Sequence, residues 1–153
     1  MARAQRTASV ARVSAYIPDS LRARIEEADR RRCCYCLTSE ANSGIPLTHD
    51  HIQPVSKGGP TTFENICLAC RTCNEFKADM TEAVDPLTGD TVLLFNPRMQ
   101  RWSDHFEWTP HGAQVVGLTA AGRATAVALR MNRPPIVAAR SRWASAGWHP
   151  PAD

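Results

Sequence analysis

Apolar residues first recur at helical spacing. After Ile17-Pro18-Asp19-Ser20, the positions Leu21, Ile25 and Ala28 mark one face, arginines fill the others, and a helix is predicted to about Arg31. Pro18 fixes its start, and Asp19 or Ser20 offers a cap. Residues 47–52 read as a strand closed by Pro54, Gly58-Gly59-Pro60 as a loop, and 66–69 as a second short strand. Residues 70–77 turn into a helix, so the order is strand, loop, strand, helix. Beyond Asp79 the pattern changes. Residues 85–90 form a turn, and 92–95 read as a strand broken by Asn96-Pro97. Residues 104–109 and 113–118 flank Pro110-His111-Gly112 as a hairpin. Thr119 caps a helix through Arg130, and a second helix runs from Pro134-Pro135 to about Ser145, where Gly147 stops it. The predicted fold is α+β: a leading helix, a strand–strand–helix core, and a tail with a small β-sheet and two helices. The organisation is a basic arm over 1–15 that reads as disordered, a domain over 16–80, and an extension over 81–153.

Composition adds little to this picture, and charge adds more. The 153 residues are 43% apolar and 22% charged, with a net charge of +3, as in an ordinary globular protein. Positive charge gathers at the start, where residues 1–32 hold eight arginines against four acids. Arginine outnumbers lysine sixteen to two. Its forked donors suit phosphates, although high-GC coding explains the ratio equally well. No apolar run is long enough to span a membrane, and no secretory segment follows Met1. The expected compartment is the cytoplasm, where cysteine pairs read as metal ligands rather than disulfides.

The chain has two Cys-x-x-Cys pairs, Cys33/Cys36 and Cys70/Cys73. Such pairs make a tetrahedral thiolate site for structural Zn²⁺. The gap between them is 33 residues (37–69), against roughly 15–20 in a zinc ribbon. A whole structural element must therefore sit inside the clamp, and it carries His49-Asp50-His51. Apolar anchors are few in this region, so a metal staple is physically needed. Cys34 is expected to point outward and Cys67 to be a small buried hydrophobe. Redox chemistry is the competing reading of the pairs, but no thioredoxin-like βαβ pattern surrounds them.

Asp50-His51, the Gly58-Gly59 loop, Asn65, the Cys70/Cys73 knuckle, Asn74 and Lys77 follow one another in the stretch DHIQPVSKGGPTTFENICLACRTCNEFK. Over residues 33–78 this resembles the HNH nuclease family, whose fold is called ββα-metal. The segments WSDHFEW and NRPPIVAARSRWASAGWHPP resemble the tail of stand-alone bacterial HNH proteins. The resemblance implies that His51 is the general base and that Asp50 binds a catalytic divalent ion. It implies that Asn65 ties down the loop and orients the base. Asn74 stands where the family often has its last histidine, which makes an H-N-N variant and favours hard ions such as Mg²⁺ or Mn²⁺. The implied activity is metal-dependent hydrolysis of DNA phosphodiester bonds, leaving 3′-hydroxyl and 5′-phosphate ends. Histidine chemistry agrees, since its unperturbed pKa of roughly 6.5 suits a base at neutral pH.

His49 reads as a partly exposed strand residue that can also assist phosphate binding. Lys57, Arg71, Lys77, Arg31 and Arg32 are the candidate contacts to nucleic acid, with double-stranded DNA as the expected partner. In the tail, Trp102, Phe106, Trp108, Trp143 and Trp148 alternate with Arg98, Arg101, Arg123, Arg140 and Arg142. They read as core first and as base-stacking groups second. His105 and His111 read as structural or exposed. Two rival functions remain: a non-catalytic zinc-ribbon-like nucleic-acid-binding module, and a regulatory or protein-interaction module built on the tail.

Overall fold

The computed structural model describes residues 16–152, and the predicted basic arm over 1–15 lies outside them. Helix α1 spans Asp19–Ala28 and buries Ile25 against Ile17, Ile66 and Leu68. Its N-cap position is Pro18, with no side-chain cap, so neither Asp19 nor Ser20 plays the predicted role. The helix ends three residues earlier than expected. Arg30 and Arg31 both take left-handed φ values of 53°, which breaks the helix and turns the chain into the first cysteine knuckle.

A short helix α2 (Glu40–Ser43), capped by Ser39, leads to strand β1 (Thr48–His51). Two 3-10 turns, Val55–Lys57 and Phe63–Asn65, carry the loop to β2 (Ile66–Ala69). The strands pair antiparallel, with Asp50 opposite Cys67 and His51 opposite Ile66. Helix α3 (Arg71–Lys77) starts from Cys70, whose sulfur accepts from the Cys73 amide, and lies against both strands. This is the predicted ββα unit.

The tail differs in detail from the single small sheet expected. Strands β3 (Glu82–Val84) and β4 (Thr91–Leu93) form one hairpin. After a short helix α4 (Trp102–His105), β5 (Phe106–Trp108) and β6 (Val115–Gly117) form another. Each hairpin is a separate two-stranded sheet. Helices α5 (Ala120–Ala128, capped by Thr119) and α6 (Pro134–Ser145) follow as predicted. No helix among the described residues is long and apolar enough to cross a membrane.

The main core crosses the boundary drawn at residue 80. Cys33, Tyr35, Cys36, Cys67 and Cys73 share one buried cluster with Leu94, Phe95, Phe106, Val115, Leu129 and Met131. Arg98 is a second tie. It forks onto Asp29 at 2.6 and 3.1 Å and reaches the Ile66 carbonyl at 2.7 Å. Asp29 in turn accepts from the Leu68 amide. One ion pair thus joins the end of α1, strand β2 and the tail, and Arg98 is not free to meet a base.

Candidate active site and zinc centre

The two knuckles fold alike. The Cys36 amide donates to Cys33 Sγ and the Cys73 amide to Cys70 Sγ, each at 3.4 Å. Together they bring four sulfurs within 4.8 Å of one another. Cys36 and Cys70 Sγ stand 3.7 Å apart, against about 3.8 Å for the edge of a tetrahedron with Zn–S bonds of about 2.3 Å. Cys33, Cys36 and Cys73 are fully buried. The donor set therefore fits structural zinc, with no open position for chemistry. Cys34 does not point outward. Its thiol lies beside Cys67, and that neighbour together with burial pushes its pKa up.

His51 ends β1, and its ring is only part-buried. Nε2 lies 3.0 Å from Thr61 Oγ1, which fixes the ring plane. Burial, with a contribution from Lys77, lowers its pKa while Asp50 opposes the change. Neutral imidazole is thereby favoured, which is the form a base requires.

Asn65 closes the loop behind His51. Its Oδ1 accepts from the Gln53 amide at 2.9 Å, and its Nδ2 donates to the Gln53 and Pro60 carbonyls at 3.0 and 2.9 Å. Its backbone carbonyl takes the Ile52 amide. The two residues after His51 are thus pinned on both edges. Gly58 turns at φ 80°. A Cβ on Gly59 would overlap the Gln53 carbonyl, so the Gly-Gly pair is dictated by the close packing of this loop.

Asp50 points to the other side. It is 4% exposed, and both oxygens are engaged. Tyr35 donates its hydroxyl at 2.8 Å, and the Lys77 ammonium sits at 3.2–3.3 Å from the carboxylate. Lys77 also donates to the His51 carbonyl. Burial pushes the Asp50 pKa up, and Lys77 and Tyr35 pull against it. Asn74 donates Nδ2 to Thr48 Oγ1 of β1 at 2.9 Å, a bond that does not involve its Oδ1. An ion at the expected site would share the Asp50 carboxylate with the Lys77 ammonium. Lys77 itself, predicted to contact phosphate, is only 2% exposed. That expectation is corrected: α3 turns Lys77 inward because Asp50 needs a counter-charge.

Residues 33–79 match the family model for HNH endonuclease. This segment, about a third of the chain, is similar to an HNH domain. The Cys33, Cys36, Cys70 and Cys73 cluster fits the zinc-stapled form of that domain. Neither the curated proteins nor the solved structures gave a match to the chain.

Around the HNH domain the remaining cationic residues divide. Lys57 is exposed on the Gly-rich loop, and Arg71 is exposed and paired with Glu75. Arg31 is two-thirds exposed between Glu26 and Glu40. Arg32 reaches the Ala152 carbonyl. His49 is less available than expected. Its Nε2 is buried without a hydrogen-bond partner among the described residues, and it feels Arg22 and Glu26 of α1. Tyr35 belongs to the site although the sequence pattern does not single it out. Its position inside the first knuckle, between Cys33 and Cys36, is the one sequence signal that points to it. His105 is structural, hydrogen-bonded to Thr119, and His111 is exposed.

Proposed function

We propose that the chain is an endonuclease that hydrolyses phosphodiester bonds of double-stranded DNA, with His51 as the general base. Water attacks phosphorus, His51 accepts the water's proton, and the bond to the leaving oxygen breaks. The observation that carries this reading is His51 itself. It stands at a strand end inside the HNH domain, accessible, neutral by environment and clamped by the Asn65 loop. Lys57 and Arg71 are the best-placed outward cations for the phosphate backbone. The cytoplasm is the proposed setting, because thiols stay reduced there and remain available to a metal.

HNH nucleases use a divalent ion, which polarises phosphoryl oxygens and steadies the leaving group when bound. Mg²⁺ or Mn²⁺ is the proposed ion here. To bind at Asp50 it would have to share the carboxylate with the Lys77 ammonium and the Tyr35 hydroxyl or displace them. That engagement of Asp50 favours a second reading, a zinc-stapled module that binds nucleic acid without cutting it.

Nicking of supercoiled plasmid by zinc-loaded protein, with Mg²⁺, Mn²⁺, Ni²⁺ or added Zn²⁺ in turn, separates the two. The nuclease reading expects nicking in at least one ion and a loss of about 10²- to 10⁴-fold in His51→Ala at unchanged zinc content. DNA binding with no nicking in any ion would replace it with the binding module. Equal nicking by His51→Ala would remove His51 from the mechanism.

A further inference from the structure

Arg140 projects from α6 into the interior and is 0% exposed. A guanidinium keeps its charge in proteins, so full burial requires an anion and acceptors for its N–H groups. Its bonds within the fold do not supply them. Nη1 reaches the Ala113 carbonyl at 3.3 Å and Asn132 Oδ1 at 3.5 Å, both long and both to neutral groups. Nε and Nη2 have no hydrogen-bond partner among the described residues. Trp108 lies under the guanidinium carbon at 5.1 Å, which stabilises a cation only modestly. No carboxylate is paired with it among the described ion pairs.

Trp108 packs against the buried cluster that holds Cys36 and Cys73, and Ile136 and Ala139 of α6 line one cavity with Cys70. Cys36 and Cys73, two of the four zinc-centre thiols, are also the groups of favourable sign that act on the guanidinium. Four thiolates around one Zn²⁺ carry a net charge of −2. That charge sits in the same buried cluster as the tail residues. The orphaned cation and the unbalanced anion therefore belong together.

We infer that Arg140 is the buried counter-cation of the zinc–thiolate centre. It is a positioning residue that holds the charged cluster in the core and directs N–H groups to its sulfurs. Helix α6 thereby carries positive charge from the tail to the metal staple of the HNH domain. A cation that neutralises the thiolates without binding the metal slows loss of the metal. It also withdraws electron density from sulfur.

The test uses the full chain in its zinc form and, in parallel, its Co²⁺ form. Arg140→Gln should release zinc to a chelator at least about tenfold faster than the parent. Its sulfur-to-cobalt charge-transfer band should move to lower energy. Arg140→Lys, which keeps the charge and loses the fork, should fall between. Asn132→Ala removes the side chain that accepts from Nη1 and should leave the release rate and the band at parental values. Parental release and band in Arg140→Gln would overturn the assignment. So would Asn132→Ala reproducing the Arg140→Gln changes, because packing alone would then account for them. If Arg140→Gln does not fold, Arg140→Lys decides: a shifted band supports the assignment and a parental band overturns it.

Discussion

Lys77 and Asp50 hold each other in the interior, and neither can be changed alone without stranding a charge. Both are almost wholly enclosed. Removing one member of such a pair costs about 3–5 kcal/mol, while replacing both is often near neutral. Lys77→Met should therefore lower the unfolding free energy from denaturant titration by that scale, and Lys77→Met with Asp50→Asn should recover most of it. A single variant within about 1 kcal/mol of the parent would show that the pair is not sealed. The same variant asks whether an ion and the ammonium contest one carboxylate. Mn²⁺ should raise the melting temperature of Lys77→Met more than that of the parent, and equal shifts in both would exclude competition. The inward turn of Lys77 was not legible in the sequence. The motif places Lys77 three residues after Asn74 on α3, but which face of that helix is covered depends on β1 and Tyr35, far away in the chain. The cysteine cluster was legible because the spacing within each Cys-x-x-Cys pair is short and chemically constrained.

Elements with strong local signals formed where the pattern placed them. Strand β2, helix α3 and helix α6 have clear punctuation: a cysteine cap, a Pro-Pro start, a glycine stop. Strand β3 did not. Glu82-Ala83-Val84 is three residues long with only Ala83 part-buried, too short for a periodic signal. It exists because the 85–90 turn brings Thr91–Leu93 beside it. Asp85 organises that turn. It is fully buried, accepts from the Leu87 amide and the Thr88 hydroxyl, and receives the Arg123 fork at 2.8–2.9 Å. The Arg123 guanidinium holds its carboxyl well below the usual carboxylate range. A depressed folded pKa means the stabilisation is complete above the unfolded value of about 3.9 and is lost as pH falls through the folded value. Asp85→Asn should melt lower than the parent at pH 7, and the gap should narrow below about pH 4. A gap that stays constant down to pH 3 would mean the Arg123 pair contributes nothing to the hairpin.

At the scale of the molecule, the zinc staple and the tail share one core. Cys33, Cys36 and Cys73 pack with Phe95, Phe106, Leu129 and Met131. Tyr35 receives the Trp102 indole N–H on its carbonyl at 2.8 Å. The sequence suggested a motif region and a separable extension because composition changes after Asp79. Composition cannot show that two such segments bury each other. All four tryptophans lie in the tail, at 102, 108, 143 and 148, whereas all four zinc ligands lie in the HNH domain. Tryptophan fluorescence and zinc release therefore report on opposite ends of the chain. Structural zinc contributes on the order of 10–16 kcal/mol in small zinc-dependent folds, more than a domain of this size usually has to spare. Cys73→Ser should lose the metal and also the native tryptophan signal, and in the parent the two signals should melt together. A fragment ending at residue 80 should bind zinc weakly and show no cooperative unfolding, because its inner face is the face the tail covers. Tryptophan emission that stays native after the zinc is stripped would mean the tail is an independent body. The shared core would then be only a contact between two folded units.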